Sequence, residues 1–151
     1  MKKKLFHLTL LLLILSCQKE GNFFNETTKN LHEISLPTQF LGTWQWIGSW
    51  GGGWTCVKPT LNEKNVLTIQ SDKTYKWCKN DTCSTGKLFF GSRASDNGKY
   101  VDTLIVFEPQ KIVNNSPLVG IILASKPIIW RDTLTLSAQC NDCNSLYFKR
   151  N

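Results

Sequence analysis

Histidine is almost missing from this sequence. Of the two in 151 residues, His7 interrupts an N-terminal apolar run and His32 sits in a polar stretch ahead of the patterned part of the chain. Neither a Ser-His nor a Cys-His pair can then be assembled within that part, which excludes the common routes to an activated nucleophile. A glycine-rich phosphate loop and an H-E-x-x-H pair are also absent. No window of eleven residues holds a 3.6-residue apolar period, so a helical architecture is excluded as well. Paired carboxylates remain, because Asp102 and Glu108 share one strand face with Leu104 and Val106, opposite Val101, Thr103, Ile105 and Phe107. A solvated strand face explains them more simply. The sequence reads as a non-enzyme without a cofactor.

Excess charge is scarce too, once its source is located. The formal net charge is +7, but removing residues 1–16 takes away Lys2, Lys3 and Lys4 and no acid, leaving +4. What remains in "KNDTCSTGK", "GSRASDNGK" and "FKRN" mixes signs or falls at turns, so nucleic acid is not an expected partner.

Long apolar runs number one. Leu5 to Leu15 is apolar apart from His7 and Thr9, too short to span a bilayer comfortably, and behind three lysines it reads as a signal-peptide core. "ILSC" follows directly. This stretch resembles the lipobox of bacterial lipoproteins, which implies that residues 1–16 are a signal peptide and that Cys17 becomes the first residue, acylated on its sulfur and its amine. Three acyl chains would give an essentially permanent hold on a membrane, where one chain is marginal. "CQKEG" has no Asp directly after the Cys, which by the same resemblance implies the outer membrane. It is also similar to the short Gln/Lys-plus-acid export signals of surface lipoproteins in Bacteroidetes, which extends the expected location to the cell surface. A solvated polar tether is an equally good reading of those residues.

Gln18 to about Thr38 is rich in Asn, Thr, Glu and Lys without any period, and reads as a flexible spacer, so residues 17–38 form a lipidated Cys and tether. Residues 39–151 are enough for one small domain. That domain reads as strands throughout: the segment around Trp44, Val66 to Ile69, Tyr75 to Cys78, "GKLFFGS", "KYVDTLIVFE", "PLVGIILA" with "PIIW", "DTLTLS" and "SLYFKR", each bounded by turn residues. About eight short strands joined by tight turns form an antiparallel barrel or a sandwich.

"LGTW" at the start of the first strand matches the Gly-x-Trp signature of lipocalins. The wider layout, from "LGTWQW" through "LTIQSDKTYKW" to "DTLTLSAQCNDCNSLYFKR", is similar to the lipocalin-like domains of many Bacteroidetes lipoproteins. This resemblance implies an all-β, antiparallel, up-and-down barrel of the calycin type, with Gly42 and Trp44 at its floor. It also implies an arginine stacked on that Trp. Arg150 in the last strand is the candidate, since Arg131 sits beside a turn.

Strand alternation puts Trp44, Trp46, Gly48 and Trp50 on one face, pointing into the barrel. Trp46 divides between core and cavity wall. Gly51, Gly52 and Gly53 would let the chain turn sharply at the other end, or let a ligand approach the backbone. Trp50 and Trp54, which flank that loop, are the candidates for a binding mouth, with a hydrophobic plug as the alternative.

Cysteine use fits an exported protein. Beyond Cys17 there are Cys56, Cys78, Cys83, Cys140 and Cys143, and five cysteines leave one thiol unpaired after two bridges. Cys78 and Cys83 flank "KNDT" at the ends of adjacent strands, so they form the favoured pair. A bridge within "CNDC" would be strained, so Cys140 or Cys143 is expected to reach Cys56. Zinc bound by four thiolates is the rival, disfavoured by oxidising surroundings, and no metal is expected. A redox-active "CNDC" lacks the helix that would lower its thiolate pKa.

Three functions fit. A membrane-tethered barrel would bind a small, apolar ligand. A protein-binding or inhibitor-type lipoprotein would act through its glycine-rich rim and "GSRASDNGK". A structural lipoprotein would fill its barrel with its own side chains.

Overall fold

Alternating apolar and polar residues between turn signals become strands almost everywhere that the computed structural model describes, namely residues 31–51, 55–94, 101–110, 124–138 and 144–151. The strands are β1 (His32–Glu33), β2 (Gly42–Gly51), β3 (Thr55–Val57), β4 (Asn65–Ile69), β5 (Thr74–Lys79), β6 (Thr82–Ala94), β7 (Val101–Pro109), β8 (Ala124–Trp130), β9 (Thr133–Ala138) and β10 (Ser145–Arg150). Among the described residues the one helical element is a 3-10 turn, Thr38–Phe40.

Every pairing is antiparallel, and the neighbours run β6-β5-β4-β2-β10-β9-β8-β7, with β7 pairing back to β6. Each main strand thus lies beside its neighbour in sequence, and the last strand closes onto the first. This is the expected all-β, up-and-down, lipocalin-like barrel of eight strands. Closure removes the open edges that make free sheets prone to aggregate. Between β7 and β8, Ile105 with Ser125 and Val106 with Ala124 are in register among the described residues.

Two strands differ from the sequence reading, and a third is described only in part. β6 begins at Thr82, earlier than "GKLFFGS", because its first half pairs with β5 and its second half with β7. The stretch "PLVGIILA" lies outside the described residues except for Ala124, which opens β8. His32 and Glu33, in the expected spacer, form β1 against Ser92 and Gly91, where β6 has run past the start of β5.

A β-bulge breaks the first strand. Tyr147 pairs with Gly48 while Phe148 pairs with Trp46, which leaves Ile47 as the extra residue on β2. An added residue reverses the inside-outside alternation beyond it. Trp44 and Trp46 are therefore buried, Ile47 is exposed, Ser49 is buried, and Trp50 is 56% exposed. The expectation that Trp50 faces the interior is thus overturned. Gly48 permits the bulge: its φ is +155°, and a Cβ there would lie 2.9 Å from the Val57 carbonyl oxygen.

The inward residues form one core from Phe40, Trp44, Trp46, Leu67, Ile69, Tyr75, Trp77, Phe107, Phe148 and their aliphatic neighbours. Midway along β7 both faces are buried, since Leu104, Ile105, Val106 and Phe107 are all fully covered. Of the two β7 faces, the one with Ile105 and Phe107 joins the core, and the one with Leu104 and Val106 does not.

Candidate functional site

Strand direction fixes two ends. The β4–β5 and β8–β9 turns, the start of β2 and the end of β10 meet at one end, where the Thr38–Phe40 turn also lies. The other end collects the β2–β4 and β5–β6 connections.

The first end is closed by the residues that the Gly-x-Trp motif singled out. Arg150 pairs with Trp44 across β10 and β2, so both side chains lie on the inward face. The Arg150 guanidinium stacks over the indole at 4.2 Å from its centroid. It donates to the carbonyl oxygens of Leu41, at 2.8 Å, and Gln39. Trp44 is fully buried, and its Nε1 donates to the Phe40 carbonyl at 2.9 Å. Gly42 is needed here: at φ +118° it adopts a backbone that side chains rarely allow, and a Cβ would sit 3.2 Å from the arginine. Arg131 instead occupies the β8–β9 turn.

Above this floor the rings interlock. Trp77 meets Phe107 and Phe148 edge-on at 5.5 Å each, and Tyr75 meets Phe107 at 5.1 Å. Trp77 Nε1 donates to Asn65 Oδ1 at 2.7 Å, which satisfies both buried groups.

Three other buried polar atoms have no such partner among the described residues: Trp46 Nε1, Tyr75 Oη and Ser84 Oγ. Tyr75 and Ser84 are diagonal neighbours on the inner face, because Tyr75 pairs with Gly86 and Trp77 with Ser84. Burial pushes the Tyr75 phenol up to about 12; a weak side-chain hydrogen bond with Ser84, beyond normal hydrogen-bond geometry, opposes that rise and the Glu108 charge adds to it. An orphaned buried donor costs about 1–3 kcal/mol, so each needs a cause. The wall around them is apolar, and no charged residue is among those described as buried. Beside Tyr75, a groove of about 680 Å³ runs past Thr68, Lys76, Thr85, Lys87 and Glu108.

Sequence reasoning named Trp46 and missed Tyr75 and Ser84. Tyr75 was legible, since alternation places it on the face of Trp77. Ser84 was not, because its inward position depends on β6 starting at Thr82.

At the mouth, Trp50 pairs with Cys56 on the outward face. Cys56 is a free, exposed thiol. The expected link from Cys56 to Cys140 or Cys143 falls on residues outside those described. Cys78 and Cys83 are bridged as expected, opposite each other in the β5–β6 hairpin. Their sulfurs are thus unavailable as zinc ligands. Asp102 accepts from Lys126 at 3.4 Å, and Glu108 stands across from Lys87. Cys17, Gly52, Gly53, Trp54, Cys140 and Cys143 lie outside the described residues.

No protein-family model, no curated protein and no solved structure matches the chain. The likeness to lipocalins rests on strand order and floor geometry.

Proposed function

We propose that this protein is a membrane-anchored, lipocalin-like lipoprotein of the outer membrane or cell surface, whose barrel holds a small, mainly apolar, uncharged molecule bearing a hydrogen-bond acceptor. The observation that carries this reading is the set of under-satisfied buried donors: Trp46 Nε1, and the hydroxyls of Tyr75 and Ser84, which find only a weak contact with each other. A pocket of this kind holds a ligand through shape and a few placed polar groups. An ionised ligand in the core would find no buried opposite charge among the described residues to offset its desolvation.

Native mass spectrometry of the exported chain, purified gently from its own host, tests this. The expected result is an adduct that leaves on denaturation and is weakened by Tyr75→Phe, on a protein whose mass includes acyl chains lost in Cys17→Ser. A bare protein, unchanged by Tyr75→Phe, would sink the ligand reading.

A second reading, a protein-binding lipoprotein with a filled barrel, is favoured by the exposed Ile47, Trp50 and Val57. In that case Trp50→Ala would abolish capture of a host protein and leave the protein's own stability unchanged.

A further inference from the structure

A second group of exposed apolar residues lies away from the mouth. Ile128 and Trp130, two apart on β8, share its outward face and are 50% and 67% exposed. Trp130 ends β8 at the hairpin tip Arg131–Asp132, and the register puts that tip at the closed end. Trp130 pairs with Thr133, Thr133 with Lys149, and Lys149 with Gln45, the neighbour of Trp44. The Arg150 backbone N–H donates to the Asp132 carbonyl at 2.8 Å.

The tip pairs an indole with a cation. The Arg131 guanidinium lies 4.6 Å over the Trp130 ring and makes no ion pair among the described residues. Lys149 stands beside it, partly engaged with Asp132 at 3.7 Å. Tryptophan settles at the headgroup level of a bilayer, and an arginine beside it meets the phosphates. The chain enters the barrel from this same end, through the Thr38–Phe40 turn. From Cys17 to Leu31 the backbone reaches at most roughly 50 Å even when fully extended.

We infer that the closed end docks on the phospholipid surface through Trp130 and Arg131, which turns the mouth of the barrel away from the membrane. This orientation rests on the lipid-anchor reading, which brings the tip within reach of a bilayer. Occupancy of the tip by a second copy of the chain is the competing outcome.

The test uses the mature full chain reconstituted in vesicles of phosphatidylcholine and phosphatidylglycerol brominated near the headgroups. Trp130→Phe should remove most of the tryptophan quenching caused by these lipids. Trp50→Phe, at the other end, should leave it unchanged, and Arg131→Glu should weaken it about fivefold or more. Quenching that survives Trp130→Phe, or falls as far with Trp50→Phe, overturns the orientation. So does concentration-dependent dimerisation that Trp130→Ala abolishes while lipid quenching is absent. Recovery of a chain without acyl mass would refute the anchor alone. Docking would then be read by flotation with the same vesicles, where the unmodified sequence should float and Trp130→Ala should not.

Discussion

Trp44 and Trp46 stand two residues apart on one strand, both facing inward and both buried. Trp44 Nε1 donates to the Phe40 carbonyl and its ring lies under Arg150. Trp46 Nε1 meets no acceptor among the described residues. The floor is therefore internally complete, while the interior above it contains donors whose partners are not side chains of the described residues. A barrel that served only as a spacer would gain stability by replacing those donors with apolar groups.

The largest test of this contrast is a pair of truncations. Trp44→Ala should cost about 3–5 kcal/mol in denaturant unfolding, because it empties the floor and strands Arg150 over the gap. Trp46→Ala should cost clearly less, and should reduce ligand retention. Equal losses of stability with unchanged retention would mean that both are plain core residues.

The parts legible in sequence are those where local chemistry decides. Turn residues bounded the strands, "LGTW" located the floor, and the spacing of Cys78 and Cys83 across a four-residue turn was enough to pair them. Trp50 failed because a bulge obeys no composition rule. Ile47 becomes the extra residue through pairing with β10, a strand about one hundred residues away, and only Gly48 hints at it. Ser84 failed for a related reason, since the length of β6 is set by two partner strands in turn. Local pattern gave the faces within each strand, and long-range register decided where those faces reverse.

A middle-sized effect separates the mouth from the floor. Replacing Cys78 and Cys83 together with Ala should lower stability by roughly 2 kcal/mol, the chain-entropy value for so short a loop. It should leave the fluorescence of the buried floor unchanged in the native protein. Loss of the native floor signal would show that the two ends are not independent. At the floor, Arg150→Lys keeps the charge but loses the planar stack and the two-carbonyl fork, and should cost about 1–2 kcal/mol.

The smallest effect is the most informative, because its sign is at stake. Tyr75→Phe removes one orphaned hydroxyl and almost no volume. In ligand-free protein it should therefore be neutral or stabilising by up to about 1 kcal/mol, whereas in ligand-bound protein it should weaken retention. Titration gives an independent check. Burial raises the phenol from 10.0 to about 12, so the folded state holds this proton more tightly than the unfolded chain. The resulting stability is complete below pH 10.0 and is lost as pH rises through about 12. Lysines also titrate there, so the quantity to measure is the stability advantage of Tyr75→Phe over the original sequence, which should grow across that window. If it stays flat, the hydroxyl reaches water, and the case for an orphaned donor at Tyr75 fails even though the floor stands.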